Sequence, residues 1–237
     1  MISNIFKMIK HAVILAGGNG ARFFPQTKDR SKAMVLIDRF PLITYSLAQL
    51  AKVHQIFITV GPFKTELISY CYHKFGVANY IMTEGRGNCW WIFNSIAKDL
   101  DCPVLVLPCD LITELDTLFL YNEYKRLNSP PIMHVPILWN GINKGDFIES
   151  KNYLVKKLSK DQKLNLFCSG IQVINPSLIN SLLSDKKHIE NFEDLWDIFI
   201  TTKQLYHSDI YPHIWYSINS NFEKNHFLKN RYKYYVL

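Results

Sequence analysis

The first 130 residues alternate predicted strands with predicted helices, and this alternation restricts the fold more than any other feature of the sequence. The predicted strands are His11–Ala16, Gln55–Val60, Asn79–Met82 and Pro103–Leu107, most of them short apolar runs. The segments that predict helices are 41–52, 63–75 and 89–100. Strands that alternate with helices indicate a mostly parallel sheet covered on both faces.

The pattern changes after residue 130. Predicted strands at 131–138, 153–158 and 166–174 follow one another closely, before predicted helices at 176–184 and 191–203. A last strand pair at 204–210 and 213–218 precedes a terminal helix from about residue 220. This half therefore predicts mixed or antiparallel additions to the parallel core, with ligands bound beyond the carboxyl ends of the strands.

Composition narrows the function classes. The 237 residues carry a net charge of +7, which suits phosphorylated ligands, nucleic acid or an anionic membrane. The five cysteines show no zinc-finger or Cys-x-x-Cys spacing, which favours free buried thiols in a reducing compartment. No apolar stretch approaches the roughly 20 residues that span a bilayer, and the first ten residues do not resemble a signal peptide. We therefore expect a cytoplasmic protein.

The first predicted strand runs directly into Gly17-Gly18-Asn19-Gly20-Ala21-Arg22. Glycines let the backbone approach a ligand closely, and successive N–H groups in such a turn bind anions. Arg22 and Lys32 add two positive charges, so the segment predicts a triphosphate site. A tight turn without a ligand is the alternative for the glycines alone. The spacing does not fit the P-loop, and Pro25 makes the dinucleotide fingerprint a poor fit.

A longer pattern over residues 15–45 resembles the signature of the sugar-1-phosphate nucleotidyltransferase superfamily. It consists of Leu15-Ala16-Gly17-Gly18-x-Gly20-x-Arg22-x-x-Pro25-x-Thr27, then Lys32, then Pro41-Leu42-Ile43-x-Tyr45. Ser31 stands where the family has a proline before the lysine. The resemblance implies a three-layer α/β/α sandwich with a mostly parallel mixed sheet. It also implies one domain over 1–237, with a nucleotide-binding half at about 10–128 and an acceptor-binding half at 129–237.

The resemblance implies a magnesium site at the end of the strand before Asp110, where the family places an aspartate. Carboxylate oxygen suits this hard cation, although a turn or a helix cap is the alternative role for Asp110. The family's second ligand follows a strand near the C-terminus, where Asn219 offers a neutral amide oxygen. A turn asparagine is the alternative there.

The resemblance also places a base-binding loop at Glu84-Gly85-Arg86-Gly87-Asn88. It implies that Ala16 to Ala21, Glu84, Gly87 and Asn88 bind the nucleotide, although Asn88 is equally suited to cap the helix that follows. Trp90 and Trp91 come next and could stack on a ring, but packing in the core is the stronger interpretation.

For the acceptor, the segment Phe167-Cys168-Ser169-Gly170-Ile171 resembles the family's small-Gly-Ile strand, and Lys160 precedes it. Glu193 begins an acidic and aromatic run, Glu193-Asp194-Leu195-Trp196-Asp197, which is similar to one in choline-phosphate cytidylyltransferases. The resemblance therefore implies acceptor-binding roles for Lys160, Gly170 and Glu193. A solvated lysine and a core helix are the alternatives.

Together these features predict an enzyme that joins NMP from an NTP to a sugar 1-phosphate for surface-glycan precursor synthesis. Arg22 and Lys32 are the predicted catalytic residues, and Mg²⁺ is the predicted cofactor. The alternatives are a cytidylyltransferase for a phosphocholine-like acceptor and a silent nucleotide-binding sensor. A glycosyltransferase is disfavoured because Asp110 is not part of an Asp-x-Asp motif. We expect neither nucleic acid nor membrane as a partner, and a homo-oligomer is left open.

Overall fold

The computed structural model describes residues 8–139, 141–142, 144–161, 164–183 and 189–230. Its strands are β1 His11–Ala16, β2 Leu36–Ile37, β3 Phe40–Pro41, β4 Gln55–Val60, β5 Asn79–Met82, β6 Val104–Pro108, β7 Leu111–Thr113, β8 Ile132–Leu138, β9 Phe147–Lys151, β10 Leu154–Ser159, β11 Leu166–Ile174, β12 Leu205–His207 and β13 Trp215–Ser217. Its helices are α1 Ile43–Ala48, α2 Lys64–Phe75, α3 Trp91–Asn94, α4 Thr117–Arg126, α5 Pro176–Leu182, α6 Phe192–Thr201 and α7 Asn221–Asn230.

Within the described ranges, nine strands form one mixed sheet in the order β5-β4-β1-β6-β11-β8-β12-β10-β9. The pairs β5–β4, β4–β1, β1–β6 and β8–β12 are parallel. Strand β11 is antiparallel to both β6 and β8, and β10 is antiparallel to both β12 and β9. The sheet thus contains strands from both predicted halves of the chain, while the division into those halves stays a prediction.

Helices cover both faces of this sheet, because its central strands are apolar on both sides. In β1, Ala12 and Ile14 pack on one face with residues of α1, α2 and α4. Val13 points to the other face, where it joins the cluster formed by α3, α5 and α6. The alternation of β6 is the same, with Leu105 on the first face and Val106 on the second. The predicted three-layer α/β/α sandwich with a mixed sheet is confirmed.

A third apolar cluster lies beyond the main sheet and fixes the loops around the glycine turn. It includes Phe23, Ile37, Tyr45, Tyr216 and Phe227. Two small sheets, β2–β3 and β7–β13, contribute to it. The chain after residue 212 is thereby packed against the segment that follows β1.

Several predicted elements differ from the observed ones. Segment 89–100 forms only the four-residue α3 and a 3₁₀ turn at Ile96–Asp99, since the chain between them leaves the helical region at Ser95 (φ −125°). The predicted strands 204–210 and 213–218 do not pair with each other, because β12 joins β8 and β13 joins β7. Strands β2, β3, β7 and β9 and helix α4 were not predicted. Residue 184, the last of the predicted helix 176–184, lies outside the described residues.

No helix in the described part of the chain is both long and apolar enough to cross a membrane.

One buried histidine should make the stability of the fold sensitive to acid. His134 on β8 lies edge-on to Trp196 (ring centroids 4.6 Å apart), and its Nε2 is buried without a hydrogen-bond partner among the described residues. Burial lowers the pKa of His134 from 6.5 to about 3, so the folded state stays neutral while the unfolded chain takes up a proton. The stability that depends on a neutral His134 is therefore fully present above pH 6.5, and it is lost as the pH falls towards about 3.

We expect the free energy of unfolding to fall by about 1.4 kcal/mol per pH unit below pH 6.5 on account of His134. Denaturant unfolding at pH 7.5, 6.0 and 5.0 measures this slope. His134→Gln should flatten it, whereas His73→Gln on the exposed surface of α2 serves as the control. An unchanged slope in His134→Gln would show that other groups cause the acid sensitivity.

Candidate functional site

The site lies at the carboxyl edge of the parallel strands, where β1, β4 and β6 end side by side. The Cys109 N–H donates to the carbonyl of Leu15 (3.1 Å), which holds the end of β6 against the end of β1. Gly61 follows β4, and a Cβ there would lie 2.2 Å from the carbonyl oxygen of Gly17. Glycine is thus required at position 61, because the loops after β1 and β4 pass too close together for a side chain. The position of Gly61 after a strand did not by itself indicate this role.

The glycine turn is shaped by its neighbours and open on its outer side. Gly20 has a φ of 64°, and its carbonyl accepts a hydrogen bond from the Thr27 hydroxyl (2.9 Å). A Cβ on Gly20 would lie 2.9 Å from the Cβ of Lys32, so this position requires glycine for both reasons. Gly18 and Asn19 are exposed, and nothing lies within 4 Å of the position of a Gly18 Cβ. The turn therefore leaves open space for a ligand at Gly18.

The first residues of this loop, where the chain leaves β1, are held in place by contacts within the protein. The Ala16 N–H donates to the Thr59 hydroxyl (3.0 Å), and a Cβ on Gly17 would lie 2.9 Å from Thr83 Oγ1. Ala21 begins a three-residue 3₁₀ turn that places Arg22 on the outside and Phe23 in the core. The N–H of Ala16 is thus already satisfied by the protein, whereas the outer residues of the turn are exposed.

Four of the predicted residues meet beside the glycine turn, although up to 197 positions separate them in sequence. The Lys32 ammonium forms an ion pair with Asp110 and donates to Asn219 Oδ1 (2.9 Å). Arg22 Nη2 donates to the same Asn219 oxygen (3.1 Å). The side chains of Lys32 and Asp110 are only 15% and 9% exposed. Two cations, a carboxylate and an amide oxygen therefore form one cluster at the edge of the sheet.

The chain that follows β13 places Asn219 in this cluster. The Ile218 N–H donates to the carbonyl of Asp110 (2.9 Å), so the residue after β13 is held against the turn between β6 and β7. Glu223 in the first turn of α7 accepts from the Asn219 N–H (2.6 Å) and from the Ser220 hydroxyl (3.2 Å). Glu223 was not among the predicted residues, although Ser220-Asn221-Phe222-Glu223 has the spacing of a capping box at a helix start.

The oxygen atoms of this cluster suit a hard divalent cation. Asp110 and Asn219 both direct an oxygen at the Lys32 ammonium, which shows that the two donors converge on one positive charge. Within the described ranges, no three His, Cys, Asp or Glu side chains group as a metal centre. Burial and the neighbouring Asp110 raise the pKa of Cys109 to about 12, so its thiol stays protonated. A cation here would take one carboxylate, one amide and the oxygens of its substrates.

The predicted base loop has two different parts. Glu84 and Gly85 are exposed and have positive φ angles (51° and 79°), so this end of the loop lies open. Asn88 does not cap the helix that follows it. Its Oδ1 instead accepts from the N–H of Phe192, the first residue of α6, at 2.8 Å. The distant segment before α6 therefore fixes Asn88, which local helix-capping rules did not predict.

The two tryptophans after the loop also differ. Trp91 is fully buried in the core, and Trp90 is half-buried with the Arg86 guanidinium 5.7 Å from its ring centroid. Core packing is thus confirmed for Trp91.

Lys160 and Glu193 line one open cleft of about 420 Å³ between β10 and α6. Its charged lining residues are Asp146, Lys157, Lys160, Asp161, Glu193 and Asp197, joined by the indole of Trp196. Trp196 is held by a hydrogen bond to Gln172 (3.0 Å) and by stacking on Phe192. Gly170 is not part of this lining; it lies on β11, where a Cβ would be 3.0 Å from the ring of Pro108. Lys160 and the run from Glu193 to Asp197 were singled out from the sequence, whereas the charged lining residues Asp146, Lys157 and Asp161 were not.

A mixed α/β sheet thus carries a glycine turn, two cations and a carboxylate at its carboxyl edge. Residues 11–130, which are 120 of its 237 residues, match the family model described as nucleotidyl transferase. The chain belongs to this family of transferases, as the sequence signature predicted.

Individual relatives are more distant. A bifunctional protein GlmU from Methanococcus maripaludis is 27% identical over 177 residues, or 72% of this chain and 41% of that protein. A choline-phosphate cytidylyltransferase from Streptococcus pneumoniae is 40% identical over 68 residues, 28% of this chain and 29% of that protein. These matches span less than half the length of either curated relative. The solved inositol-1-phosphate CTP transferase from T. maritima covers 97% of this chain and 98% of its own at a TM-score of 0.77 and 18% identity, which shows a shared fold.

Proposed function

We propose that the protein transfers NMP from an NTP to a sugar 1-phosphate with release of pyrophosphate, in the cytoplasm, to make a surface-glycan precursor. The observation that supports this proposal is the cluster of Arg22, Lys32, Asp110 and Asn219 beside the open glycine turn. It offers cations for the phosphates and oxygen ligands for a metal, and the four side chains come from separate segments of the fold.

In this reaction an oxygen of the acceptor phosphate forms a bond to the α-phosphorus. The bond from that phosphorus to the bridging oxygen breaks, and pyrophosphate leaves with the oxygen and its electron pair. Arg22 and Lys32 stabilise the negative charge that develops on the transferring group, and the exposed N–H groups of the glycine turn hold the triphosphate. The acceptor phosphate is already a nucleophile, so no side chain needs to remove a proton.

Mg²⁺ is the proposed cofactor, with Asp110 and Asn219 as its protein ligands. When bound, it supplies further positive charge to the phosphates. Lys32 bridges the two oxygen donors and so keeps the carboxylate and the amide together. Arg22 contacts the same amide from the exposed side, which orients its oxygen towards the cluster.

The cleft beside α6 supports a second candidate, a cytidylyltransferase whose acceptor carries a cationic head group. Four carboxylates against two lysines make this lining negative, and Trp196 adds an aromatic ring. A quaternary ammonium is attracted by such a ring and by carboxylates, whereas a neutral sugar gains nothing from the net charge. The relative from Streptococcus pneumoniae named above is a choline-phosphate cytidylyltransferase, which agrees with this candidate.

Pyrophosphate release in the presence of Mg²⁺ tests both candidates. Each of the four common NTPs is combined with glucose 1-phosphate, N-acetylglucosamine 1-phosphate, inositol 1-phosphate and phosphocholine. Release that requires a sugar 1-phosphate supports the first candidate, and release that requires CTP and phosphocholine supports the second. Nucleotide binding without release for every acceptor would contradict both and favour the silent sensor.

For the second candidate we expect Trp196→Leu to raise the KM for phosphocholine about tenfold, with little change in the KM for CTP. The matched test compound is 3,3-dimethylbutyl phosphate, in which carbon replaces the charged nitrogen at the same shape. Steady-state kinetics of the wild type should give a much lower kcat/KM for this compound, whose head group carries no charge, than for phosphocholine. Equal use of the two compounds would rule out recognition of the charge.

A further inference from the structure

The segment before α6 lies directly against the predicted base loop. Arg86 forms a two-point contact with Glu190, in which its Nε lies 3.0 and 3.2 Å from the two carboxylate oxygens and its Nη2 contacts Oε1. The Gly87 N–H donates to the same carboxylate (2.9 Å). Arg86 and this N–H lower the pKa of Glu190, so the group is ionised at neutral pH.

Backbone contacts extend this connection on both sides of Glu190. The Cys89 N–H donates to the Glu190 carbonyl (3.0 Å), and the Phe192 N–H donates to Asn88 Oδ1 (2.8 Å). The approach is so close that a Cβ on Gly87 would lie 2.2 Å from the Glu190 carbonyl oxygen. The loop therefore cannot shift as a unit without moving the start of α6 or breaking these bonds.

Helix α6 extends this connection to the acidic cleft. One side of the helix is anchored in the core by Phe192, Leu195 and Phe199. Its other side presents Glu193, Trp196 and Asp197 to the cleft, and Glu193 is only three residues from Glu190. The loop at residues 84–88 and the acidic wall of the cleft are therefore joined through the start of α6.

We propose that Glu190 is a positioning residue that couples the two substrate sites, so that nucleotide and acceptor each strengthen the binding of the other. This inference rests on the proposed function, because it takes the loop as the base site and the cleft as the acceptor site. Coupling between sites is reciprocal and commonly amounts to roughly 5-fold to 150-fold in affinity. The carboxylate of Glu190 contacts Arg86 and Gly87, so in this proposal it acts through these residues and the helix.

The test measures binding and not turnover. The probes are the α,β-methylene analogue of the NTP with the highest rate in the pyrophosphate assay, and the acceptor with the highest rate. Calorimetry gives the Kd of the acceptor with and without a saturating concentration of the analogue. In the wild type we expect the analogue to lower this Kd at least about fivefold.

Glu190→Gln should bring the ratio of the two Kd values close to one, because the amide cannot pair with the Arg86 guanidinium as the carboxylate does. The affinity for each ligand measured alone should stay within about threefold of the wild type. Glu66→Gln, on the exposed surface of α2, is the matched control and should keep the wild-type ratio. A general loss of stability would weaken both affinities together, so the ratio separates positioning from folding. An unchanged ratio in Glu190→Gln, or no coupling in an active wild type, would overturn the inference alone. A wild type that binds the triphosphate but releases no pyrophosphate would overturn the proposed function and this inference with it.

Discussion

Replacing Lys32 by alanine is expected to lower the rate of nucleotidyl transfer about a hundredfold or more while the chain still folds. The ammonium group is the cation shared by Asp110 and Asn219, and it is only 15% exposed, so water and salt screen its charge poorly. Removal of one preorganised charge from a transition state commonly costs about 10²-fold to 10³-fold in rate. Steady-state kinetics with the best substrate pair measures the loss, and Arg22→Ala should show a similar one.

The control for this prediction is Lys28→Ala, which removes an exposed lysine from the same loop. It should keep the wild-type rate. Circular dichroism and thermal melts establish that Lys32→Ala is folded, which is necessary because Asp110 loses its ion-pair partner. A folded Lys32→Ala protein with full activity would contradict the assignment of this cluster.

Asp110→Asn should reduce the rate by a similar factor, and the loss should persist at high Mg²⁺ concentration. Asp110 provides the cluster's carboxylate, and its side chain is 9% exposed. The amide is a weaker, neutral ligand for a hard cation and leaves the charge of Lys32 uncompensated. The rate as a function of Mg²⁺ concentration is the measurement, and we expect its midpoint to move to higher concentration.

Asp29→Asn provides the comparison, since this aspartate is exposed and also lies near the glycine turn in sequence. It should reproduce the wild-type Mg²⁺ curve. If Asp110→Asn gave that same curve, Asp110 would not bind the metal, and its role would be limited to the ion pair with Lys32.

The parallel core of the fold was predictable because the apolar composition of its strands agrees with their buried positions in the sheet. The apolar runs of β1, β4 and β6 are buried on both faces, so their composition alone identifies them as interior strands. The glycine turn, Arg22 and Lys32 were predictable for a different reason. Their spacing matches a known signature, and backbone approach to a phosphate restricts these positions to few residue types.

The remaining features depend on contacts between distant segments, which sequence periodicity does not encode. The sequence marked Asn88 as a helix cap or a base ligand, but its oxygen is taken by Phe192, 104 positions away. Glu190 gave no signal, because an acidic residue outside a strand or a helix indicates only a solvated position. Segment 89–100 kept only part of its predicted helix, since the chain leaves the helical region at Ser95 and continues as a short 3₁₀ turn.

The central claim is that the nucleotidyl group, and no other part of the triphosphate, moves to the acceptor. Parallel reactions with α-³²P-labelled and γ-³²P-labelled NTP, analysed by chromatography after incubation with Mg²⁺ and the acceptor, test it most directly. For nucleotidyl transfer, we expect the α-label in a product that also contains the acceptor. The γ-label should appear only in pyrophosphate, in an equal amount. Transfer of the γ-label to the acceptor, or release of both labels without any acceptor product, would contradict it.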